Sequence, residues 1–251
     1  MSTRASLITR SPAVAHILPL AAFLVLNLIP TAVGVENRDL PWWRHSPEQW
    51  LYPLQTVIVG GLLVLGWRHY TFRPFQGFAF AAGFGLIGIV LWCLPAWGYQ
   101  QMMAAGQTVP KWWDWFGIAP REDGFDPSFF QQEPMWYPAA IAMRFIRLVI
   151  LVPLVEEIFW RGFLMRYISA DGGNFLKVPF GQHDWRAFII VTAAVVVAHQ
   201  PVDYLGALIW GSLMYLVAVR TKSLAACVVM HAVGNLLLGI YVMVTRQWGF
   251  W

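Results

Sequence analysis

Glu156 and Glu157 stand side by side late in a long apolar run, with Arg161 four residues further on. A charged side chain at the centre of a bilayer costs about 2.5–3.5 kcal/mol by insertion scales, so such groups are rare there and mark function. The comparable polar intrusions downstream are His199 and the pair His231 and Asn235. An apolar setting favours the neutral form of a carboxyl, and a nearby cation restores the ionised form. Two adjacent glutamates beside an arginine are therefore differentiated: one pairs with Arg161, and the other is poised as general base toward a water. Two histidines and a carboxylate from separate helices can hold a divalent metal such as zinc with one position open. Without a metal they orient the water instead. Asn235 offers an amide donor to a tetrahedral oxyanion. No Ser or Cys forms a nucleophile motif near these residues, which disfavours covalent catalysis. The set suits attack of water on an amide.

The elements that must position these groups are membrane helices. Of the 251 residues 58% are hydrophobic and only 12% charged, about half the charged share of a soluble domain. The mean hydropathy is +0.55. Apolar runs cover about 13–34, 50–67, 75–99, 138–165, 202–219 and 223–245. A crossing helix needs roughly 17–25 residues, so six runs qualify and a seventh, 187–199, is short. Of the 15 tryptophans, Trp42, Trp43, Trp50, Trp67, Trp97, Trp112, Trp113, Trp115, Trp136, Trp185, Trp248 and Trp251 lie in loops or at run ends, the pattern of interfacial belts. The fold class is all-α: a polytopic transmembrane bundle of about seven to eight segments. The chain reads as one integral membrane domain over 1–251. It has N-terminal transmembrane helices in 1–99, an extracytoplasmic loop over 100–137 and a catalytic helical core over 138–245. The long loop is expected to carry a short interfacial helix or a lid, and 166–186, with its glycines, reads as flexible.

Loop charges set the expected orientation. Arg4, Arg10, Arg68, Arg73, Arg166, Lys177, Arg186, Arg220 and Lys222 fall on one side, taken as cytoplasmic because Lys and Arg collect there. Residues 35–49 carry Glu36, Asp39 and Glu48 against Arg38 and Arg44. Residues 100–137 carry Asp114, Glu122, Asp123, Asp126 and Glu133 against Lys111 and Arg121. The expected location is the inner membrane of a bacterial cell, multi-pass, with the N-terminus cytoplasmic. The net charge of +4 is explained by this bias, and no basic run interleaved with aromatics indicates a nucleic-acid partner. Measured from the nearest cytoplasmic charge at ~1.5 Å per residue, Glu156 lies ~15 Å deep, His199 ~20 Å, His231 ~14 Å and Asn235 ~20 Å. All fall near the middle of a core about 30 Å thick. One intramembrane site is the expectation.

The pattern Glu156-Glu157-x-x-x-Arg161, then His199, then His231-x-x-x-Asn235 resembles the CAAX prenyl protease and bacteriocin-processing (CPBP, or Abi) family of intramembrane proteases. The likeness covers about 138–245. The family's second motif usually reads Phe-x-x-x-His, and here position 195 is Val. The resemblance implies an intramembrane endopeptidase, of metallo or glutamate type. Glu156 activates water with His199, His231 and Asn235 bind metal or stabilise the oxyanion, and Glu157 and Arg161 support that geometry. The substrate class implied is a membrane-anchored or lipid-modified protein or peptide met in the lipid bilayer. A finer likeness, to members that accompany exosortase protein-sorting systems, implies such a system as partner.

Two rival functions share the same residues. One is a non-catalytic membrane scaffold or immunity protein of the same fold. The other is a proton-coupled transporter in which Glu156 and the histidines relay protons, although no broken-helix pair occupies matching halves of the chain. Other polar groups receive structural readings. Arg144 and Arg147 are expected to snorkel to the interface. Asn27, Gln55 and Thr192 are expected to form interhelical hydrogen bonds, and the glycines of 77–88 to serve close packing. Cys93 and Cys227 are read as small packing residues.

Overall fold

The computed structural model describes residues 7–35, 37, 39–116, 118 and 124–251. Arg4, Glu36, Arg38, Arg121, Glu122 and Asp123 lie outside the described residues, as do the side chains of Asp114 and Trp115. Every regular element among the described residues is helical. Six helices are long and apolar enough to cross a membrane: α1 (Pro12–Val33), α2 (Glu48–His69), α3 (Phe78–Ala104), α4 (Trp136–Ser169), α6 (Pro201–Thr221) and α7 (Leu224–Thr245). Between α4 and α6 lies the shorter apolar α5 (Trp185–Val197). Each span contains or closely overlaps one apolar run of the sequence. The multi-pass helical architecture is therefore as expected, and long uninterrupted hydrophobicity is its cause. Side-chain caps fix several starts. Ser11 accepts from the Val14 amide, Asp184 from Arg186 and Ser223 from Ala226, each satisfying a donor the first turn leaves open.

Helix α4 is the least regular span. Its α-helical segment Val152–Glu157 sits between two π-helical stretches, Arg147–Leu151 and Ile158–Leu164. In the first, the Val152 amide bonds the Arg147 carbonyl five residues back. Pro153 follows immediately, lacking an amide proton and crowding the carbonyl one turn before it. A wider turn relieves that crowding. π-turns of this kind are rare and recur at functional sites.

The chain divides into two compact units. The first comprises Met1–Thr71 and Phe125–Phe159. Within it α1 packs along α2, and the first half of α4 packs against α2. Its interior is polar at one level. Gln55 donates to the Phe23 carbonyl at 2.7 Å and to Asn27 Oδ1 at 2.8 Å. Arg147 donates from Nε to Gln55 Oε1 at 2.8 Å and from Nη2 to Asn27 Oδ1 at 2.7 Å. Asn27 and Gln55 thus bond between helices as expected. Arg144 and Arg147 do not snorkel; they are 4% and 6% exposed. They start ~12–16 Å along α4 from Trp136, and aromatic faces take them inward. The Arg147 guanidinium lies 4.3 Å from the Tyr52 ring centroid and 4.9 Å from that of Phe23.

The second unit comprises Phe72–Gly124 and Trp160–Trp251. Helix α3 is its axis, packing on α6 and α7, with α5 against α6. Close approach depends on glycine. A Cβ at Gly85 would come within 2.6 Å of the Met230 carbonyl, and one at Gly88 within 2.7 Å of the Trp210 ring. The α6–α7 turn is tied to the start of α3 by Gln76, which donates to the Thr221 carbonyl, and by Ser223, which donates to that of Pro74. The connector 166–186 is pinned rather than loose. Arg166 donates to the carbonyls of Val178 and Leu176 at 2.9 and 3.1 Å, Lys222 donates to that of Gly181, and Asn174 caps a short 3-10 turn. Within the long loop 100–137, the described ordered pieces are the end of α3, two 3-10 turns, Lys111–Phe116 and Pro127–Phe130, and the first residues of α4.

Candidate active site

Glu156 and Glu157 end the α-helical segment of α4 that is held between its two π stretches. Glu157 is fully buried, Glu156 only half so. This asymmetry follows from adjacency, since neighbours on a helix point about 100° apart. Arg161 lies in the second π stretch and is 3% exposed. The glutamates belong to the first unit. Arg161, His199, His231 and Asn235 belong to the second.

His199 follows the C-terminus of α5, where the backbone leaves the helix and enters a 3-10 turn at Pro201–Asp203. Its Nδ1 lies 2.7 Å from the Val195 carbonyl. A carbonyl only accepts, so Nδ1 carries a proton, and in the neutral ring Nε2 is the acceptor. The departure from Phe at position 195 leaves this bond intact, because the backbone makes it. Asp184 starts the same helix as its N-cap. Partial burial would raise its carboxyl pKa, but bonds from the Ser169 side chain and the Arg186 and Ala187 amides, with the Arg186 charge, hold it below the usual carboxylate range.

The two histidines flank one pair of indoles. The Trp92 ring lies edge-on to His199 at 5.5 Å and to Trp210 at 6.4 Å; Trp210 in turn meets His231 at 5.5 Å. Three helices supply this row: α3 brings Trp92, α6 Trp210 and α7 His231, with His199 at the end of α5. Glycines leave the room: a Cβ at Gly206 would lie 2.7 Å from the Trp92 ring, and one at Gly234 would collide with Trp210. His231 is 6% exposed, and Asn235 is half-buried one turn further along α7. Sequence reasoning passed over Trp92 and Trp210. Their signal was position: unlike the tryptophans at run ends, they lie inside apolar runs. Among the described residues no three His, Cys, Asp or Glu side chains group as ligands for a metal ion.

The family model for Rce1-like proteins, type II CAAX prenyl endopeptidase, matches residues 138–237. All six candidate residues fall inside that segment. No curated protein and no solved structure matches the chain.

Proposed function

We propose that this chain, whose residues 138–237 are a domain of the CAAX protease family, is an intramembrane endopeptidase. Its substrate is a membrane-anchored or lipid-modified protein. The observation that carries this reading is that one family match spans Glu156, Glu157, Arg161, His199, His231 and Asn235. Glu156 takes a proton from water, and the resulting hydroxide attacks the scissile carbonyl carbon. His199 holds that water through Nε2, its Nδ1 proton being committed to the Val195 carbonyl. Asn235 and His231 receive the oxyanion of the tetrahedral intermediate. Glu156 then returns the proton to the leaving nitrogen, and the C–N bond breaks. Glu157 and Arg161 are positioning residues. Because no ligand cluster groups among the described residues, no step is routed through zinc.

The reading includes a cytoplasmic N-terminus in a bacterial inner membrane, and a co-resident exosortase system is the first source of substrates to try. The test is processing of candidate membrane-anchored proteins from the same cell by purified wild type, Glu156→Gln and His231→Ala. Cleavage by wild type alone, with all three melting alike, is expected. Equal processing by all three removes the assigned site, and a Glu156→Ala strain with an unchanged phenotype favours a scaffold.

A further inference from the structure

The first unit contains a cavity of about 700 Å³ that the proposed hydrolysis does not use. Its walls come from the first turns of α2 and α4 and from the loop around the 3-10 turn Pro127–Phe130. The volume falls within the range of small-molecule sites, roughly 300–1,000 Å³, which are mostly apolar with a few placed polar groups. Trp42 and Trp50 stand at this end of the spans, both 38% exposed, the depth at which indoles mark the headgroup layer.

Two opposite charges line the cavity. Arg144 is 4% exposed, and its guanidinium lies 5.0 Å from the Tyr52 ring and 5.1 Å from that of Phe125. Enclosed by these rings, Arg144 is one of the residues that line the cavity. Glu133 lies at the exposed rim. In the same lining, Trp42 meets Phe130 edge-on at 5.7 Å, and Phe130 meets Phe129 at 5.0 Å. Aromatic faces with a carboxylate recognise an ammonium, and a guanidinium recognises a phosphate. Gln49 adds a buried side-chain oxygen, Oε1, without a hydrogen-bond donor.

We propose that this cavity binds a zwitterionic phospholipid headgroup of the phosphoethanolamine type. The phosphate lies toward Arg144 and the ammonium among Glu133 and the aromatic rim. Gln49 Oε1 is a further acceptor for the ammonium. The acyl chains leave past Ala139 and Ala140, whose small side chains keep that wall open. A headgroup with only negative charge meets Glu133 as a like charge and fits less well.

The experiment is native mass spectrometry of the full-length protein released from bilayers of equal phosphatidylethanolamine and phosphatidylglycerol. One phosphatidylethanolamine is expected to be retained, in roughly five- to tenfold preference, the size of one partly desolvated ammonium contact. Glu133→Gln is expected to bring the preference close to parity. Ala140→Trp, which puts an indole into the cavity wall, is expected to abolish retention; Ala139→Trp, at an exposed position, does the same if the first variant misfolds. Phosphatidylglycerol held equally well or better overturns the proposal. So does a preference unmoved by Glu133→Gln, a retained peptide in place of lipid, or no retained lipid. These positions lie outside the proposed catalytic set.

Discussion

At the residue scale, function turns on what each polar side chain is given as a partner. The Val195 carbonyl holds the Nδ1 proton of His199, so the proposed role of Nε2 as acceptor does not depend on the side chain at position 195. Glu156→Gln keeps size and loses basicity; proteolysis should fall by about 10²–10⁴-fold with little change in melting. Asn235→Ala should lower turnover by about 10²–10³-fold, the value of one oxyanion donor. Trp92 meets His199 and Trp210, and Trp92→Ala should lower kcat while leaving KM nearly unchanged, with Trp92→Phe recovering part of the loss. A change confined to thermal stability would mean that Trp92 packs against His199 without positioning it. The six candidate residues stand out in the sequence because polar groups are conspicuous in an apolar run. The indoles stand out less, because an apolar ring inside an apolar run has only its distance from the run ends to mark it.

At the element scale, the helices are set by caps, bulges and close approach. Asp184 caps α5, which leads to His199, so Asp184→Ala should destabilise by about 0.5–2 kcal/mol. The carboxyl pKa is depressed in the folded state. The advantage of wild type is therefore present above the unfolded value of about 3.9 and is lost as pH falls through the folded one. Melting curves of both proteins should converge in acid; a constant gap across that range contradicts the assignment. Gly85→Ala places a Cβ against the Met230 carbonyl, a backbone atom that cannot rotate away, and should lower stability by about 1–3 kcal/mol. Span positions were readable to within a few residues because about twenty apolar residues in a row have few alternatives. The π stretches of α4 were not, since only Pro153 hints at them and a proline alone does not say how a helix relieves its clash.

At the scale of the whole molecule, a multi-pass bundle can bury charge only by surrounding it. Long side chains near the end of a span are expected to snorkel to water, and the sequence reads Arg144 and Arg147 that way. Instead, rings and amide oxygens from α1 and α2 enclose Arg147. Gln55→Leu strips Arg147 and Asn27 of a shared partner and should cost about 1.5–3 kcal/mol, the range for a hydrogen bond to a charged group. A melting temperature equal to wild type argues that water reaches Arg147. The proposed orientation places residue 71 on the cytoplasmic side and residue 107 opposite, so Thr71→Cys and Gln107→Cys should label from different faces of sealed vesicles. The most direct measurement reconstitutes wild type and Glu156→Gln in vesicles with a membrane-anchored substrate in heavy-oxygen water. Hydrolysis by an activated water predicts that wild type alone cuts and that the label enters the new carboxyl terminus. Cleavage undiminished in Glu156→Gln, or a product without label, contradicts it.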